Sequence, residues 1–409
     1  MSIKIPSSGG KFERGGAIEF AIIADDLTGA MDSGVQLAAA GHRTAVIFHG
    51  PHTLDLDTLD AVSFDTDSRA LATDEARERV IWAGERLRDA RIVYKKIDST
   101  LRGNIAVEIE AALDATGRGR AIVAPAFPAN GRTTEGGIQL LRGVPVHETE
   151  FAKDPRTPVR QSRIPALLSD IGPVAAIGVG ETGSLRRTME SHRVVVADAS
   201  DESRLEAVAR GVPNPSEVLW VGSAGLALAL GRVYPGTHAE ERASSGDAPH
   251  RRILIVVGSR SEVSAGQCER LAAEPGVEEI VFREDGAEDA LGRARDIFEA
   301  GRSVLLRCAA EEGSPDAIVD GLAGVAASLA EEEVFEALVL TGGETAVNVV
   351  RRLGGEGVFI EREVEAGVPV GVVIGHRPYR VVTKAGAFGG PDTLAGAFRY
   401  LAGTGKGGE

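Results

Sequence analysis

Ile18-Glu-Phe-Ala-Ile-Ile-Ala-Asp-Asp-Leu-Thr-Gly29 sets an apolar run directly against two acidic residues. The run has the length and composition of a buried strand. The residues after it place Met31, Val35 and Ala38 at helical spacing before Gly41 stops the helix. A strand feeding a helix through an Asp-Asp turn is the opening half of a βαβ unit. Apolar runs over 44–48, 92–96, 121–124, 174–178 and 194–197, and later over 253–257, 303–306, 337–340, 370–374 and 380–382, alternate with helical periods. The fold class that follows is α/β, in two domains, each a largely parallel sheet with crossover helices. The stretch 234–250 is polar, rich in Gly, Pro and Ser, and aperiodic. It divides the chain into a tail (1–16), a first domain (17–235), a linker (236–250) and a second domain (251–405).

Composition narrows the function. The 409 residues carry 60 Asp and Glu against 45 Lys and Arg, a net charge of −15 that repels nucleic-acid phosphates. Two cysteines rule out a disulfide framework, and no Cys/His cluster has metal-site spacing. Residues 1–16 lack the apolar core of a signal peptide, and no run reaches the roughly 18 apolar residues of a membrane span. A cytoplasmic enzyme with no membrane or nucleic-acid partner is expected; a homo-oligomer is left open.

Strand ends are where open α/β sheets place their ligands. Asp25 and Asp26 stand at the first, as a carboxylate pair fit for proton acceptance, with one pKa expected to rise through mutual repulsion. At another, Ile92-Val-Tyr-Lys-Lys-Ile-Asp-Ser-Thr-Leu-Arg-Gly-Asn104 groups Lys95, Lys96 and Arg102 beside Asp98, Ser99 and Thr100. These are donors for a carboxylate and partners for a polyol. A third such loop carries Asn130, Gly131 and Arg132, and the proline-stiffened stretch 146–158 follows it.

In the second half, Gly258-Ser-Arg-Ser261, Thr341-Gly-Gly-Glu-Thr345 and Thr383-Lys-Ala-Gly-Ala-Phe-Gly-Gly390 each follow a strand and precede a helix. Turns of this kind present free amides to phosphates. Neither a GxxxxGK[ST] loop nor a GxSxG or HExxH motif occurs. One rival signal is Gly178-Val-Gly-Glu-Thr-Gly183 with Asp198 about 20 residues on, the spacing of a dinucleotide fingerprint. It would support an NAD(P)-dependent sugar-acid dehydrogenase; a non-catalytic acid-sugar sensor is the other alternative.

Ala24-Asp-Asp-Leu-Thr-Gly-Ala30, Lys95-Lys-Ile-Asp-Ser-Thr-Leu-Arg-Gly-Asn104, Thr341-Gly-Gly-Glu-Thr345 and Lys384-Ala-Gly-Ala-Phe-Gly389 together resemble the four-carbon acid sugar kinases. The resemblance spans nearly the whole chain. It implies an ATP- and Mg²⁺-dependent kinase for the terminal hydroxyl of threonate, erythronate or a 3-oxo-tetronate. Asp26 or Asp25 is then the catalytic carboxylate. Asp98, Ser99, Thr100 and Arg102, with Lys95, Gly103 and Asn130, form the acid-sugar set. Ser259, Gly342, Gly343, Glu344, Thr345 and Gly386 hold ATP, and the metal ligands stay unknown. Glu344 stands where Asp is more usual in that turn, and Ala387 interrupts the last glycine-rich turn.

Overall fold

A computed structural model describes residues 18–50, 58–178, 184–238, 249–309 and 314–404. The chain divides into two compact units, 1–239 and 240–409. Residues 1–17, most of the expected linker and residues 179–183 of the dinucleotide-like stretch lie outside the described residues.

In the first unit eight strands run side by side in the order Thr44–Phe48, Ala61–Asp65, Phe20–Ala24, Ile92–Lys96, Val218–Gly222, Arg120–Ala124, Val194–Ala197, Val174–Ile177, all parallel. Most of them are buried along their whole length, as a sheet covered on both faces requires. Phe20, Phe64, Tyr94 and Trp220 fill the interior, each fully buried apolar side chain contributing about 1.5–3 kcal/mol. Two of these strands, Ala61–Asp65 and Val218–Gly222, were not read from the sequence. The first, Ala-Val-Ser-Phe-Asp, has its apolar residues interrupted by Ser63 and ended by Asp65, and the second is fused to the apolar helix Ala224–Val233.

The order reverses at Phe20–Ala24. The chain continues to one side of it through two strands, then crosses to Ile92–Lys96 on the other. Register brings Ala24 level with Asp65 on one neighbour and with Lys96 on the other. The three loops that leave these strands therefore start from one line, at the switch point where a crevice opens. A small antiparallel sheet, Arg132–Glu135, Ile138–Leu141 and Val144–Pro145, follows Arg120–Ala124, the fifth strand in chain order.

Among its described residues the second unit has seven strands, in the order Val277–Phe282, Ser303–Cys308, Ile253–Val257, Ala337–Thr341, Arg380–Lys384, Val368–Gly375, Gly355–Glu365. The first five are parallel and the last two are an antiparallel extension. Val257 pairs with Thr341 and Thr341 with Lys384, so the three glycine-bearing turns also leave the sheet at one level. Ile253, Ile255, Leu271, Val339, Val382 and Phe398 belong to its core. In the helix Glu262–Ala272, Val263 is 40% exposed while Gln267 is buried.

Candidate active site

Asp25 and Asp26 end the first strand, and the two carboxylates have different surroundings. Asp25 is 3% exposed, whereas the Asp26 side chain is 27% exposed. Asp26 caps the helix Leu27–Ala39, its Oδ1 accepting from the Gly29 amide at 2.9 Å. The capping role thus leaves the Asp26 side chain partly exposed.

Between the two carboxylates lies Arg69, which the sequence reading passed over. Its Nε and Nη2 donate to Asp25 at 2.7 and 3.0 Å, and its Nη1 and Nη2 donate to Asp26 at 2.6 and 2.7 Å. Arg69 belongs to Asp65-Thr-Asp-Ser-Arg69, the turn after the unread strand. Recognising that strand would have pointed to it. The expected rise in one pKa does not occur at Asp25. Burial pushes its carboxyl up, but the charges of Arg69, Lys95 and Lys96 more than offset this and hold it below the usual range.

The loop after Ile92–Lys96 is internally braced. Asp98 accepts from the Arg102 guanidinium at 2.8 and 3.1 Å and from the Thr100 hydroxyl. Burial raises its pKa, yet Arg69 and Arg102 carry it well below the ordinary range. Leu101 sits at φ 64°, a strained value for a branched side chain, and Gly103 follows at φ 94°. A side chain at Gly103 would press on Arg69, so glycine there lets the loop close over the clamp. Asn104 secures it to Ser68 O and Leu71 O.

Lys95 was expected to touch the substrate, and the structure corrects this. It is fully buried, with Nζ on Glu108 Oε2 at 2.8 Å, on Lys96 O at 2.8 Å and on Ile23 O at 3.3 Å, so its three protons are all engaged. Alternation along the strand sends the next side chain, Lys96, to the other face. Ser99 O receives Gln139 Nε2 at 2.7 Å, and Asn130 O receives Arg132 Nη1 at 2.6 Å. A cavity of about 340 Å³ opens beside the clamp, lined among others by Arg69, Gly103, Asn104, Arg156, Arg160 and Gln161. Asp98, Arg102 and Asn130 are not on its wall. Arg156, Thr157 and Pro158 of the proline-stiffened stretch, with Val159, Arg160 and Gln161 just after it, form part of that wall.

In the second unit a cavity of about 310 Å³ is lined by Ser259, Gly342, Gly343, Glu344, Thr345 and Gly386, the complete set expected for ATP. Arg260, Pro315, Ile318 and Val319 also line it and were not foreseen. A Cβ at Gly258 would strike Thr345, and one at Gly386 would strike Ser259. The turns approach too closely for any side chain but hydrogen. Gly342, at φ 99°, leads into the helix Gly343–Arg352. The turn after Arg380–Lys384 is anchored from beneath. Lys384 Nζ donates to Ala385 O, Gly386 O and Phe388 O at 2.7–2.9 Å, Ser264 Oγ donates to Gly386 O at 2.6 Å, and Gln267 Nε2 donates to Gly390 O at 2.7 Å. In a trans peptide the amide opposes the carbonyl, so inward carbonyls turn the Gly386 and Ala387 amides outward.

The dinucleotide reading fails on a described residue. Both oxygens of Asp198 are taken by the amides of Gly136 and Gly137, at 2.6 and 2.9 Å, and the helix Leu185–Ser191 has only seven residues. No helix among the described residues is long and apolar enough to cross a membrane.

Comparison with known proteins gives two family models: a sugar-binding N-terminal domain over residues 20–230 and a nucleotide-binding C-terminal domain over residues 254–394. The chain is 34% identical to a D-threonate kinase of Salmonella typhimurium, over 93% of this chain and 97% of that one. It is 31% identical to a D-erythronate kinase of Heliobacterium modesticaldum, over 93% and 96%. A solved protein of Salmonella typhimurium LT2 shares the fold, with a TM-score of 0.80 at 23% identity over 94% of this chain and 99% of that one.

Proposed function

Because the chain belongs to the family of four-carbon acid sugar kinases, we propose that it transfers the terminal phosphoryl group of ATP to the terminal hydroxyl of threonate, erythronate or a 3-oxo-tetronate. The observation that carries this reading is the second-unit cavity, where three strand-end turns and a helix N-terminus converge. Oriented amides and the positive end of a helix suit a triphosphate, and Pro315, Ile318 and Val319 offer an apolar wall to a base. Among the described residues no three His, Cys, Asp or Glu side chains gather into a metal cage. A divalent ion such as Mg²⁺ fits as a companion of the phosphates, where it would neutralise their charge.

The acid sugar suits the first-unit cavity, whose three arginines explain how a chain of net charge −15 takes an anionic substrate. Arg102 lies off that wall; its Nη1, with one hydrogen bond among the described residues, to Asp154 at 3.4 Å, is the guanidinium edge offered to a substrate carboxylate that extends beyond the cavity. Asp26, the more exposed carboxylate, orients the acceptor hydroxyl and takes its proton; Asp25 stays ionised and fixes Arg69. Catalysis then consists mainly of positioning and charge stabilisation. The test is a coupled ADP-release screen over the threonate and erythronate enantiomers and their 3-oxo forms. ADP formation with one or more is expected, and silence across the panel would refute the reading.

A further inference from the structure

Lys96 is the one member of the Lys95-Lys96 pair that the fold leaves uncommitted. Its residue is 5% exposed, yet among the described residues its Nζ makes no hydrogen bond and no ion pair. An ammonium on so buried a residue that no carbonyl or carboxylate claims is left free to meet a ligand. Its surroundings show which. A methyl group placed on Gly29 would lie 2.6 Å from Lys96 Nζ and 2.7 Å from Asp26 Oδ1. The ammonium and the Asp26 carboxylate thus border one small gap at the start of the helix Leu27–Ala39. Asp25 feels the Lys96 charge as well.

Resting on the kinase reading, we propose that Lys96 is a catalytic cation whose ammonium meets the phosphoryl oxygens as they arrive at the acceptor hydroxyl. In a four-carbon acid the terminal hydroxyl and the carboxylate are at opposite ends of the molecule. A cation beside Asp26, the group that takes the hydroxyl proton, therefore stands at the reacting end. In the transfer the hydroxyl oxygen bonds to the γ-phosphorus while the bond from that phosphorus to the β,γ-bridging oxygen breaks. Both electrons of the broken bond leave with ADP, and the hydroxyl proton passes to Asp26. Charge spreads over the three non-bridging oxygens, and Lys96 donates to them. Arg69 has little left for this, since four of its five N–H groups are held by Asp25 and Asp26.

The test compares wild type with Lys96→Met, Lys96→Gln and Lys96→Arg, under saturating ATP and the acid sugar that gives the fastest ADP release. Lys96→Met and Lys96→Gln should lower kcat about 100-fold, leave both KM values within about threefold, and melt no lower than wild type. Lys96→Arg should restore part of kcat. An undiminished kcat in the neutral variants would overturn the inference. So would a loss confined to KM for the acid sugar, which would make Lys96 a carboxylate ligand, or a lowered melting temperature accounting for the lost rate. Wild-type turnover with active neutral variants defeats this inference alone; no ADP from wild type defeats the kinase reading with it.

Discussion

Arg69 grips Asp25 through two parallel bonds, Nε to Oδ2 at 2.7 Å and Nη2 to Oδ1 at 3.0 Å, while its other edge holds Asp26. One guanidinium therefore joins two adjacent carboxylates, and its charge helps hold the Asp25 carboxyl below the usual range. Arg69→Met should remove that balance, raise the Asp25 pKa, and shift the acid limb of the pH–rate profile upward with a kcat loss of about 100-fold or more. Arg69→Lys should not rescue it, because an ammonium cannot form the fork. The profile of kcat against pH from 4.5 to 8 decides the matter.

Asp26→Asn should lower kcat by about 10²–10⁴-fold with acid-sugar affinity kept. Asparagine caps a helix as well as aspartate does. The variant's melting temperature should therefore match wild type, and a normal kcat would take the proton-accepting role away from Asp26.

Lys95→Met should act on stability instead. It leaves Glu108, whose pKa burial already raises against the pull of Lys95, without its cation in the interior. Breaking a buried pair this way costs about 3–5 kcal/mol, to be read from denaturant unfolding. Lys95 and Lys96, adjacent in sequence, should thus separate cleanly into a stability phenotype and a rate phenotype.

Gly386→Ala introduces a Cβ against Ser259. The turn must shift, and KM for ATP should rise about tenfold or more while KM for the acid sugar holds. Equal changes in both constants would argue against a nucleotide role for this turn.

Lys384 gives a pH signature. Burial pulls its pKa from 10.5 down to about 8, although Cys268 and Glu365, the titratable groups facing it, pull the other way. Between these values the unfolded chain binds the proton more tightly than the folded one, so folding stability should rise with pH across that window. Function should move oppositely. A neutral amine has two N–H groups for three carbonyls, so the turn loosens and KM for ATP climbs above about pH 8. Thermal melts and KM for ATP between pH 7 and 10 check both halves.

The strands over 44–48, 92–96, 194–197 and 253–257 were legible to the residue, because short apolar runs bounded by turns have one reading in an α/β chain. The glycine-bearing turns of the second unit were legible too. Glycines at strand ends are a local signal, and the same turns line the cavity. Arg69 was not, since the strand before it, Ala-Val-Ser-Phe-Asp, alternates too weakly to stand out. Arg156 on the cavity wall carried no signal beyond the stiffness of its loop, and Arg160 stands past the end of that stretch.

By itself the sequence determined which residue types stand at the strand ends, because the alternation of apolar runs and helical periods fixes where each strand stops. Only the tertiary structure decided which of those ends are neighbours, and so which charges meet. The register aligning Ala24 with Asp65 and Lys96 brings Arg69 onto the Asp pair. The pleat commits Lys95 to Glu108 and leaves Lys96 beside Asp26. Adjacent lysines read alike in one dimension; their separation into interior and site is a matter of which face of the sheet each side chain leaves from.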